Sequence, residues 1–175
     1  MNLIYVLIVG CIVWLVSEVL EFRAGGFDDT NSVVTALAFG LVAIGIWAVW
    51  SAKDQRNYGR AGVALISLGM ILFTILTILT IGTGITSDVE HADSPLFLSA
   101  GAAVSVGVVA LSYWIFQISH LPKWSGVVLL VGTMTALAGA FAPRLIVLQG
   151  ISSVCLAAAL IWIGLALLKA QKTDV

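Results

Sequence analysis

Glu18 and Glu21 share a helical face with Cys11 and Trp14, because their spacing is 3–4–3 and residues three and four apart are neighbours on a helix. The other faces of that stretch are Leu, Ile and Val, which suit lipid. An ionisable side chain inside a membrane span usually faces a bundle interior or a wet cavity, which makes it a candidate functional position. Glu21 is near enough to the helix end to snorkel into the headgroup region. Glu18 lies deeper, so a bundle-facing role stands beside the snorkelling one. Arg144, at the start of the last apolar segment, is the nearest candidate partner at similar depth. Gln149 follows about one and a half turns later, with Ser152 and Ser153 after it. An amide at that depth needs hydrogen-bond partners, either as glue between helices or as a contact for a solute. Glu18, Glu21, Arg144 and Gln149 are therefore the candidate polar or pathway residues, and no catalytic residue is assigned.

A second cluster, Asp88, Glu90, His91 and Asp93, places three carboxylates and an imidazole in one short loop. Hard cations take oxygen ligands and zinc accepts His with carboxylate, so these four are the candidate metal donors. Their spacing matches no recognised site, and solvated acidic loops are common. We expect no metal and no cofactor. Haem ligation needs histidines within the bundle, and His91 and His120 fall in separate polar loops. There is no Gly-rich phosphate loop, no His-Glu-x-x-His and no Gly-x-Ser-x-Gly. Cys11 and Cys155 sit singly in apolar runs, where a thiol behaves as a small hydrophobe.

The elements that must position these residues are set by composition. The chain has 175 residues, of which 61% are hydrophobic and 10% charged. A soluble domain carries about 25% charged residues, so lipid must be the solvent for most of this surface. One helical crossing of a roughly 30 Å hydrocarbon core uses about 20 residues. Punctuation by polar and Gly/Pro runs predicts six helices, at about 3–21, 31–52, 58–81, 95–119, 122–141 and 143–169. Thr30, Asn31 and Ser32 offer N-caps for the second, and Ser94-Pro95 starts the fourth. Only Ala142 separates the fifth from Pro143. A single helix over 122–169 would be roughly 70 Å long, far beyond a bilayer, so a tight hairpin is expected there. The first stretch has no basic residue before it and ends in acidic residues rather than a cleavage site, which predicts a retained helix. The expected fold is all-α: one polytopic transmembrane domain, a six-helix bundle.

Basic residues bias loops to the cytoplasm. With the N-terminus inside, Lys53, Arg56, Arg60, Lys123, Lys169 and Lys172 all fall inside, and only Arg23 and Arg144 outside. Seven of the nine acidic residues fall outside. Both termini are thus expected in the cytoplasm, of a prokaryotic plasma membrane. Trp50, Trp114 and Trp124 are expected in an aromatic belt at that interface.

A shift of 64 residues aligns Trp50 with Trp114, Gly62 with Gly126, Val63 with Val127, Leu65 with Leu129 and Met70 with Met134. That pattern predicts a parallel repeat of two hairpins, helices 2–3 and 4–5. Small residues predict packing seams at Ser99, Ala103 and Gly107 and at Gly132, Ala136 and Ala140. Hydroxyl stripes run along Ser67, Met70, Thr74 and Thr77 and along Gly101, Ser105, Val108 and Ser112. From Leu121-Pro122-Lys123-Trp124 through Arg144 to Leu168 the chain resembles small six-span bacterial membrane proteins of the acid-stress HdeD type. That resemblance is one of pattern and implies no particular activity.

These features point first to a non-enzymatic accessory, scaffold or stress-associated membrane module, with the bilayer, a second copy or another membrane protein as partner. The alternative is a small transporter or channel for a neutral or cationic solute. An intramembrane enzyme with an outer-face site is a minor third. No basic patch suggests nucleic acid.

Overall fold

The computed structural model describes residues 2–24, 29–50, 57–81, 95–117, 121–141 and 146–173. Runs of Leu, Ile, Val and Ala make these segments helical: α1 Leu3–Ala24, α2 Asp29–Trp50, α3 Asn57–Thr80, α4 Pro95–Gln117, α5 Lys123–Phe141 and α6 Ile146–Thr173. Five are long and apolar enough to cross a membrane, and α5 is the shorter one. No strand occurs among the described residues.

Helix starts follow local chemistry. The Asn2 side-chain oxygen accepts the Ile4 backbone N–H at 3.1 Å, and its carbonyl accepts that of Tyr5 at 3.0 Å, so Asn2 caps α1. Pro95 stands first in α4, where its missing N–H costs nothing. The Pro122 carbonyl takes both the backbone N–H and the hydroxyl of Ser125, at 2.9 and 2.6 Å, fixing the first turn of α5. A one-residue turn at Ile46 interrupts α2, immediately after Gly45.

Each helix packs against its neighbours in sequence, and α6 closes back on α1, giving a ring of alternating direction. Glycines set the register wherever backbones approach closely. A Cβ at Gly45 would stand 2.3 Å from the Leu7 backbone nitrogen, and one at Gly10 would stand 2.9 Å from that of Val42, so α1 and α2 run antiparallel. Between α3 and α4, Gly62 and Gly107 face each other: a Cβ on either would lie 2.8 Å from the other's carbonyl oxygen. Gly132 of α5 seats against Cys155 and Leu156 of α6, and Gly164 of α6 seats against Ile8 of α1. The Asn2 side-chain amide donates to Gln171 Oε1 at 3.3 Å, so the two ends of the chain meet at one end of the ring.

Several finer expectations are changed by packing. Trp114 is fully buried rather than in a surface belt, because it lies flat against Gly59, whose Cβ would stand 2.7 Å from Trp114 Cγ. Trp50 and Trp124 are exposed as expected. The 64-residue pairs share environments only in part: Gly62 and Gly126 are both buried, but Met70 is buried and Met134 exposed, and Val63 is buried and Val127 exposed. Of Ser99, Ala103 and Gly107 only Gly107 is buried; the α4 seam is Ala100, Val104, Gly107, Leu111 and Trp114.

Candidate functional site

Glu18 stands about four turns along α1, roughly 9 Å short of its C-terminal end at 1.5 Å per residue. Cys11 and Trp14 on the same face are buried, whereas Val9, Ile12, Val16 and Val19 on the others are exposed, as the spacing predicts. Glu18 itself is half-buried. Its carboxylate accepts the Trp14 indole N–H at 3.0 Å, and the Ser153 side chain of α6 faces the same group. Carboxylate, indole and hydroxyl therefore gather where α1 packs on α6, at the end of the ring away from the termini. Ser17 turns its hydroxyl back to the Trp14 carbonyl at 2.7 Å.

Gln149 is half-buried one turn from Ser153 on the same face of α6, against Gly139 of α5. Ser152 donates to the Gly132 carbonyl at 2.8 Å and so ties α6 to α5, while Ser153 faces α1. Glu21 is half-buried and partnered. The structure thus brings Glu18 together with Ser153 and places Gln149 beside them. Arg144, Asp88, Glu90, His91 and Asp93 lie outside the described residues.

Sequence reasoning missed part of this polar end. Asn31 and Ser32 were expected only as N-caps and Thr35 was not singled out, yet all three are buried in the first turns of α2. With Gly10 opposite Val42 and Gly45 opposite Leu7, the α1–α2 register sets Thr35 level with Ser17, and Asn31 level with Glu21. The signal was available: Asn31, Thr35, Ala38, Val42 and Gly45 recur at 4–3–4–3 spacing, one buried stripe that begins polar. Beside the polar groups runs an aromatic string. Trp14 meets Phe39 edge-on at 5.3 Å, Phe39 meets Phe73 at 5.7 Å and Phe73 meets Phe97 at 5.5 Å, joining α1 to α4 through α2 and α3.

Elsewhere the threonines of the α3 stripe are satisfied along their own helix, whereas the buried Ser112 hydroxyl of the α4 stripe has no hydrogen-bond partner among the described residues. Thr74 and Thr77 donate to the carbonyls of Met70 and Phe73, each at 2.8 Å, and Thr133 donates to that of Leu129 at 3.1 Å. Ser67 instead crosses to the Ala43 carbonyl at 2.9 Å and accepts the Trp47 indole N–H at 3.0 Å, fastening α3 to α2. Such groups hold helices together and present little to a solute.

Comparison with family models, with curated proteins and with solved structures finds no match to this chain.

Proposed function

We propose that the chain is an integral membrane protein that crosses the bilayer six times with both termini cytoplasmic, and that it serves as a non-enzymatic accessory or scaffold module. The closed antiparallel ring, with Asn2 bonded to Gln171, supports an even number of crossings. The charge census supports the basic end as the inner one. One observation carries the functional reading: the carboxylate of Glu18, deep in α1, accepts the Trp14 indole N–H of its own helix and faces Ser153 of α6, so it is taken up in the packing of the bundle. A module of this kind works through its surface, by association with itself or with another membrane protein. Mild crosslinking of the full chain in its native membrane is expected to trap a discrete dimer or one defined partner. A chain that stays monomeric and traps nothing would sink the proposal.

A second reading, a small transporter for a neutral or cationic solute, is favoured by the buried Ser17, Asn31, Ser32 and Thr35 beside Glu18. Liposome flux of such solutes that falls in Glu18→Gln and Gln149→Leu would support it. Flux that ignores both substitutions would remove these residues as the pathway.

A further inference from the structure

An open groove of about 450 Å3 lies along α2 and α3. Ile44, Trp47, Ile71 and Ile75 form its walls, and all four are exposed. Two hydroxyls reach it, those of Ser67 and Thr74, and both donate to backbone carbonyls of the protein. The Trp47 indole N–H is taken by Ser67. The surface left to an occupant is therefore hydrocarbon, with no free donor among these groups. Gly40 forms part of the lining, and nothing lies within 4 Å of the place its Cβ would take. Glycine weakens a helix interior, and here no neighbour in the chain uses the space it leaves.

The groove leads to a cation at the end nearest the termini. Trp47 packs on Trp50 with ring centroids 5.0 Å apart, and the Arg60 guanidinium lies over Trp50, 5.6 Å from its centroid. Arg60 is exposed and one turn from the start of α3, the level at which aromatic and basic side chains meet lipid headgroups. The groove runs about 12 Å along α3, from Ser67 to Ile75, a length that takes about half of one extended hydrocarbon chain.

We propose that the α2–α3 groove binds one acyl chain of an anionic phospholipid whose phosphate is held by Arg60. The lipid's charge is set by Arg60, and the position of Arg60 by Trp50 and Trp47. The proposal rests on the bundle lying in a bilayer and is independent of its role as a scaffold, so either can fail alone.

The test uses the full chain in detergent, stripped of lipid and offered equal amounts of phosphatidylglycerol and phosphatidylcholine, with adducts read by native mass spectrometry. The native chain is expected to retain phosphatidylglycerol about fivefold over phosphatidylcholine, the preference one basic side chain gives at a membrane surface. Arg60→Gln is expected to abolish the preference while keeping phosphatidylcholine adducts. Gly40→Leu, which fills the groove from α2, is expected to reduce both adducts, and Ile75→Trp does the same from α3 if Gly40→Leu folds poorly. Lys123→Gln, an exposed cation on α5, is expected to change neither. Equal retention of the two lipids by the native chain would overturn the proposal. So would a preference that survives Arg60→Gln, an unblocked groove in both filling variants, or an equal loss in Lys123→Gln.

Discussion

The Ser153 side chain of α6 faces the Glu18 carboxylate of α1, across the one seam of the ring that no connecting loop spans. The first and last helices are the most separated in sequence, so their contact depends on side chains alone. At the other end of that seam Asn2 and Gln171 make the matching polar contact.

Removing Glu18 should therefore loosen the closure. Glu18→Ala loses the Trp14 bond within α1 and the contact with Ser153 of α6 together, and side-chain hydrogen bonds in membranes average about 0.6 kcal/mol with a maximum near 1.7. A loss of about 1–2 kcal/mol is expected, read as a lower Tm in detergent. Glu18→Gln keeps an acceptor oxygen and should lose less than half as much.

Gly45 and Gly40 lie on one helix and should answer alanine with opposite signs. At Gly45 the new methyl would meet the Leu7 backbone at 2.3 Å, and overpacking against backbone costs about 1–3 kcal/mol or more. At Gly40 it would meet nothing, so Gly40→Ala is expected to gain up to about 1 kcal/mol of helix propensity. Thermal unfolding of both variants in one detergent checks the contrast.

Two tryptophans near the same end of the bundle should differ as sharply. Trp114 is fully buried against Gly59, and its truncation to alanine is expected to cost about 3–5 kcal/mol. Trp124 is 70% exposed, and its truncation should change bundle stability by less than about 0.5 kcal/mol. Denaturant titration of the two variants, followed by circular dichroism, gives the comparison.

The meeting of the chain ends can be trapped covalently. The double variant Asn2→Cys/Gln171→Cys is expected to be bridged within one chain by a short bis-maleimide, visible as a shift in gel mobility. Neither single variant should shift. An impermeant maleimide should label both single variants from the same side of sealed vesicles, which also reads the orientation.

Much of this was legible in the residues. Apolar runs of about 20 residues can only be helices in lipid, since every backbone polar group must be satisfied within its own segment. The face carrying Cys11, Trp14 and Glu18 followed from spacing, because helical periodicity assigns faces before any neighbour is known. Trp114 was misread for the complementary reason. Its depth was set by its place in the helix, but only Gly59 on another helix makes room for it inside. The same limit applies to the 64-residue pattern, in which Met70 and Met134 match in sequence and differ in environment.

Glu18 shows where sequence and tertiary structure divide the work. The sequence alone determined that this carboxylate would stand within a span and on a shared face with Trp14, because both properties are local to one helix. It named Arg144 as the candidate partner by depth. The tertiary structure brought Ser153 to the carboxylate and joined Asn31 and Thr35 to the same buried end. Those meetings depend on how six helices pack into a ring, and that is decided by close backbone approach at Gly10, Gly45 and Gly62 and by the seat of Ile8 on Gly164 rather than by any property of Glu18 itself.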